Sequence, residues 1–345
     1  MKLLINNKTL QEKLVRASKF TMSKITSVPS LQGGMLKLSN GALEIITTNL
    51  NDFFYTKIAV ESKDEFKVVV DIKKMVEFLS FLSTGNVELE IDKNNLLLKK
   101  EKTVGTFTLI PADDFPAVPT VEGKTYEIKK EFITNNLPLI LFSVSRDESR
   151  PTLTGVNFLT REDTQYVVST DGFRLSLISN KAEQELPPVT INAQILQEIL
   201  SIGKNTKFVL SEKDKVVSFQ MGDDIIYTRI IEGDFPPFER VIPQGFKTRM
   251  ILETEELSRN IKLASVFARD FSSIIVFDIK KDGLYIKPKV KDDKGSVVYQ
   301  EGNVEGEEQK ISFNYKFVLD FLNNIKSKKI TFEMNSSNAP GVFRA

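Results

Sequence analysis

A repeat of about 120 residues constrains this chain more than any other feature. Asp114-Phe115-Pro116 in "ADDFPAVP" returns as Asp234-Phe235-Pro236 in "GDFPPFERVIP", 120 residues later. Between and beyond these turns, three segments share one pattern: "VVVDIKKMVEFLSFLSTGNVELEID", "VTINAQILQEILSIGKNTKFVLSE" and "ISFNYKFVLDFLNNIKSKKITFEMN". Met75, Leu196 and Val318 correspond, as do Leu79, Leu200 and Leu322, and an acid (Glu77, Glu198, Asp320) occupies the same place in each. Apolar residues three and four apart predict an amphipathic helix, a polar break follows, and alternation then predicts a strand. In the first copy that helix should bury Ile72, Met75, Val76, Leu79 and Leu82. A chain that repeats itself at a fixed period builds the same unit several times over.

The preceding half of each unit repeats too. "VPSLQGGMLKL" lies 122 residues before "RPTLTGVNFL", Pro29 matching Pro151 and Leu31 matching Leu153. A helical pattern stands before each, with Leu10, Leu14 and Val15, then Phe132, Leu137 and Ile140, then Leu257, Ile261 and Ala264. Each unit therefore reads as helix, strands, helix, strands: an α+β architecture in three domains, 1–122, 123–247 and 248–345. The Asp-Phe-Pro turns mark the exits of the first two. The third stops at "SSNAPGVFRA", one strand short of the others, and a sequence continuing past Ala345 is the simpler reading of that gap.

Composition then removes chemistry. The chain has 345 residues and neither cysteine nor histidine. Disulfides, thiolate metal sites and cysteine nucleophiles go with the first, and the commonest general base and metal ligand with the second. No metal or cofactor is expected. Forty-seven basic residues face 46 acidic ones, so affinity for a polyanion has to come from charge gathered on one face. "MKLLINNKTL" turns polar too early for a signal sequence and no apolar run reaches membrane-spanning length, so a cytoplasmic protein without membrane contact is expected.

The helices carry the candidate cations. Lys13, Arg16 and Lys19 lie beside the apolar stripe of the first helix and Lys24 follows it; Lys73 and Lys74 open the second. Arg146 and Arg150 flank the acids of "SRDESR", and Arg259 and Lys262 sit on the third copy's first helix. Such groups neutralise phosphates without reading bases. They also decorate any solvated helix, paired with acids such as Glu12 and Glu77. "STDGFRLSLIS" reads locally as a hairpin turn at Asp-Gly. Its sharper reading is an exposed apolar pocket beside the Arg174 guanidinium, suited to a short extended peptide.

Taken together, the triple repeat, "RPTLTGVNF", "STDGFRLSLIS", the two "DFP" exits and "FERVIP" make the whole chain resemble the bacterial DNA sliding clamp family, the beta subunits of DNA polymerase III. The resemblance implies a DNA clamp fold in which two three-domain protomers join head to tail, helices lining a hole for duplex DNA. It implies a processivity factor for DNA replication without catalysis. Lys24, Lys73, Lys74 and Arg150 match DNA-facing positions. Leu153, Thr170, Gly172, Phe173, Arg174, Leu175, Pro236, Arg240 and Val241 match a pocket for short apolar motifs of the replicative polymerase, the clamp loader and other replication or repair proteins. Phe107, Val266 and Phe267 match the homodimer contact. Phe173 stands where the family often has histidine, and the family's last strand lies beyond Ala345. Two other classes stay in view: a peptide-binding adaptor that does not encircle DNA, and an enzyme using carboxylates of "SRDESR" or "KDDKGS", neither of which shows nucleophile or metal spacing.

Overall fold

A computed structural model of the chain describes residues 2–22, 28–270, 272–289 and 296–345. Among these, six helices pack on antiparallel sheets: α1 (Asn7–Ser18), α2 (Ile72–Ser80), α3 (Lys130–Leu141), α4 (Ala193–Ile202), α5 (Thr254–Ala268) and α6 (Tyr315–Asn324). Two compact units result, one of Met1–Thr134 with Gln194–Ile231, the other of Asn135–Ala193 with Glu232–Ala345.

The repeat extends to strand register. Each copy opens its first hairpin with the same two-residue turn, set by Ser39↔Ala42, Arg161↔Thr164 and Lys280↔Gly283. The strand before each second helix pairs back to the hairpin's first strand, as Gly34↔Val70, Gly155↔Asn192 and Ile274↔Asn314. A one-residue slip would turn every core side chain outward, so matched register means matched cores. Local chemistry starts the helices alike. Asn6 Oδ1 accepts from Lys8 N and Thr9 N, Asp71 Oδ1 from Lys74 N, and Asn314 Oδ1 from Lys316 N. A side-chain acceptor there satisfies backbone donors that the first turn leaves free.

In the first unit, Lys2–Asn6, Asn86–Asp92, Asn95–Lys100 and Thr103–Thr108 form one four-stranded sheet. The second sheet has eight strands because Asp52–Ala59 of the first copy pairs with Asp224–Arg229 of the second, from Ile225↔Tyr55 to Thr228↔Asp52. The helix face of α2 buries Ile72, Met75 and Leu79 as the spacing requires, while Val76 and Leu82 are half-buried.

Three four-stranded sheets make the second unit. Its third-copy core closes on aromatic rings: Phe277, Phe313 and Phe332 meet edge-on at 5.2–5.9 Å, and Phe343 of the last strand, Val342–Arg344, lies 4.8 Å from Phe332. Each such pair adds about 0.5–1.5 kcal/mol to its area burial. The third copy has no counterpart of Thr103–Thr108 among the described residues. Asn303–Gly306 pairs at the opposite edge instead, through Thr248↔Gly306, and the sheet remains four-stranded.

Candidate peptide pocket and nucleic-acid face

The "STDGFRL" stretch is a hairpin turn with built-in rigidity. It joins the strands Thr164–Thr170 and Leu175–Lys181. Thr170 Oγ1 accepts from Gly172 N at 3.0 Å and donates to Arg174 O at 2.7 Å, and Asp171 Oδ1 accepts from Phe173 N and Arg174 N. Gly172 takes φ +91°, a region costly for side-chain-bearing residues, and a Cβ there would stand 3.1 Å from Arg150 Nη1. Phe173 is thrown outward, 81% exposed.

Arg174 is not a free hook. Its Nε donates to Asp171 Oδ2 at 3.0 Å and its Nη1 to Asp320 Oδ2 at 2.6 Å, and its guanidinium lies 4.4 Å over Phe317 and 5.5 Å from Phe142. Charge-assisted bonds and ring faces together hold it against α6.

Nearby, Leu175 packs with Phe235 and Ile242 on the buried cluster of Leu159, Val168 and Phe238. The exit segment thereby crosses the sheet, and Pro236, Arg240 and Val241 ride on it exposed. Leu153 and Thr170 are buried. The turn and the exit segment thus come together at Leu175, and Arg150, read from the sequence as DNA-facing, lies against the Gly172 turn. Arg150 also pairs with Asp147 at 3.1 Å.

The remaining cations divide into two groups. Lys13 and Arg16 each reach Asp224 at 2.5 Å, and Asp224 is fully buried, with Thr56 Oγ1 also donating to it at 2.6 Å. Burial works to raise that carboxyl, but the Lys13 and Thr56 hydrogen bonds and the two positive charges outweigh it and hold it below its usual range. Lys19 pairs with Glu198 at 2.7 Å. These three cations, two on α1 and Lys19 just past it, are spent inside the first unit, a role that sequence reasoning missed, since Asp224 sits in "MGDDII" like an ordinary turn acid.

Lys73 and Lys74 stay exposed on the first turn of α2, and Lys74 lies 3.6 Å from Asp71. Lys24 lies outside the described residues. Arg259 and Lys262 of α5, candidates from the sequence, share a cleft of about 1020 Å³ with Lys326 and Lys328, just past α6, a grouping visible only in three dimensions. No group of His, Cys, Asp and Glu among the described residues could hold a metal, and no helix is long and apolar enough to cross a membrane.

On α5, Leu257, Ile261 and Ala264 face the core, while Leu263, Val266 and Phe267 are about half exposed. Phe107 is 8% exposed, its ring edge-on to Phe78 at 5.8 Å, so the apolar side chain its strand presents is Val104. Phe107 supports that surface from beneath and adds little area to it.

Comparison with known proteins matches this arrangement along its length. Models of the DNA polymerase III beta subunit N-terminal, central and C-terminal domains match residues 1–119, 127–237 and 239–345. The beta sliding clamp of Synechocystis sp. is 26% identical, over 99% of this chain and 95% of that protein. That of Bacillus subtilis is 25% identical, over 100% and 96%. The crystal structure of the Thermotoga maritima DNA polymerase III beta subunit superposes with a TM-score of 0.92 at 25% identity, covering 99% of this chain and 95% of that one. In fold alone, the Pseudomonas aeruginosa clamp bound to griselimycin matches with a TM-score of 0.90 at 19% identity, over 99% and 95%. Three domain models in sequence order, repeated in register through the fold, mean that the chain belongs to the DNA polymerase III beta subunit family, the bacterial beta sliding clamps, which are non-catalytic processivity factors of DNA replication.

Proposed function

We propose that two copies of this chain close head to tail around duplex DNA in the cytoplasm and tether the replicative polymerase there. The domains span 1–122, 123–247 and 248–345. The observation that carries this reading is the threefold repeat in register, whose first and third copies keep exposed cations on their helices: Lys73 and Lys74 in one, Arg259 and Lys262 in the other. A closed ring is retained by topology, so its phosphate contacts stay weak and sequence-independent, and a few lysines give a shallow potential along the duplex. Arg150, and Lys24 outside the described residues, join this DNA-facing set.

Partner peptides from the polymerase, the clamp loader and repair proteins dock where Leu153, Thr170, Gly172, Phe173, Leu175, Pro236, Arg240 and Val241 gather. Arg174 fixes that turn from behind. The protomers meet through Val266 and Phe267 with Leu263 on one side, and Val104 over Phe107 on the other. Light scattering at micromolar concentration tests the assembly: the wild type is expected as a dimer and the Val266→Glu/Phe267→Ala variant as a folded monomer. A wild-type monomer contradicts the ring.

A further inference from the structure

The turn at 170–175 has a twin in the first copy. Thr48 Oγ1 accepts from Leu50 N at 2.9 Å and donates to Asp52 O at 2.8 Å, as Thr170 does with Gly172 and Arg174. Asn49 Oδ1 accepts from Asn51 N and Asp52 N, as Asp171 does from Phe173 and Arg174. Leu50 even takes φ +77° where Gly172 takes +91°. A leucine held there is strained and half exposed, a combination that tracks function more than stability. Nothing in the letters "TNLND" and "TDGFR" announces the identity; the hydrogen bonds do.

The exit segments are twins as well, and here the copies part. In the second copy Phe238 covers the sheet, packed on Leu159 and Tyr166. One repeat earlier the same three places hold Val118, Lys37 and Glu44. There an open cleft of about 570 Å³ is lined by Met35, Ile46, Val118 and Ile225, with Tyr55 and Tyr227 along it, and Val118 packs on the buried Met35 and Ile46 without filling it. Lys37 and Lys67 stand directly opposite on neighbouring strands at its rim. Like charges in register are unfavourable unless an anion lies between them. Glu44 takes Lys37 at 3.2 Å, and Lys67 has no ion pair among the described residues. Burial, and then the charge of Glu44 and a hydrogen bond to it, push the Tyr55 phenol up to about 12.

We infer that the first copy carries a second docking groove, for a short extended peptide whose apolar anchor sits on Met35, Ile46 and Ile225 and whose following carboxylate lies between Lys37 and Lys67. The class of occupant rests on the peptide reading of the 170–175 pocket; the cavity and its charge do not.

Titration of the full chain with the fluorescein-labelled peptide acetyl-SIFDDS-amide tests it. The expected result is two sites per chain. Val118→Phe, which installs the side chain the second copy already accommodates, removes one of them. Lys67→Glu weakens that same site about fivefold. Val241→Asp removes the other. A single site lost in Val241→Asp and untouched by Val118→Phe overturns the inference and leaves the pocket reading intact. A single site lost only in Val118→Phe upholds the inference and overturns the pocket. Absence of any site sensitive to Val118→Phe up to about 1 mM peptide overturns the groove.

Discussion

Arg174 Nη1 donates to Asp320 Oδ2 at 2.6 Å, across 146 residues of chain, and so fastens the 170–175 turn to α6. Asp320 is the third-copy member of the series Glu77, Glu198 and Asp320, and Glu198 is likewise taken, by Lys19 at 2.7 Å. The recurring acid on the second helix is thus an attachment point in two of the three copies. Its regularity in sequence reflects how copies are joined, more than how a helix surface is solvated.

Replacing Arg174 by alanine removes two carboxylate bonds and two ring contacts from a mostly buried guanidinium. A loss of about 2–3 kcal/mol in unfolding free energy is expected, with weaker binding of apolar peptides. Asp320→Asn keeps the ring contacts and should lose about half of that. Denaturant unfolding of both variants alongside peptide titration checks the order. Equal losses, or none, would contradict the clasp.

Asp224 supplies the pH dependence. Its folded carboxyl titrates below the ordinary value of 3.8, so its contribution is complete above about pH 4 and is lost as pH falls through the lowered folded value. Asp224→Asn leaves Lys13 and Arg16 without their counter-charge and should cost about 3 kcal/mol at neutral pH. In acid the two proteins converge. Thermal unfolding from pH 7 down to pH 3 is the measurement, and a gap that widened in acid would refute the assignment.

Much of this was legible in the sequence, and what was not has a common cause. The helices over Met75, Leu196 and Val318 follow from a 3.6-residue period that needs only local information. The fate of Lys13 and Arg16 depends on Asp224, more than 200 residues away in a turn that reads as solvent-facing. Phe107 alternates correctly for an interface strand, yet Phe78 of α2 covers it. Helix α3 runs through Pro138, which local propensity disfavours. Pairings made by the tertiary fold leave no periodic trace, and that is where the reading and the molecule diverge.

Lys73 and Lys74 carry the sharpest charge prediction. Reversing both to glutamate should leave the fold unchanged, since both are exposed, and reduce the salt dependence of duplex binding by about two phosphate contacts. Fluorescence anisotropy on a short duplex, read as the slope of log affinity against log salt, decides it. An unchanged slope places these lysines away from DNA.

The most direct test of encirclement is retention on circular DNA. Loaded by the clamp loader onto a nicked circle, the protein should stay bound through gel filtration at a salt concentration that strips ordinary phosphate contacts. It should then run off once a restriction enzyme cuts the circle. Equal retention on circular and linearised DNA, or dissociation from both at the same salt, would contradict the account.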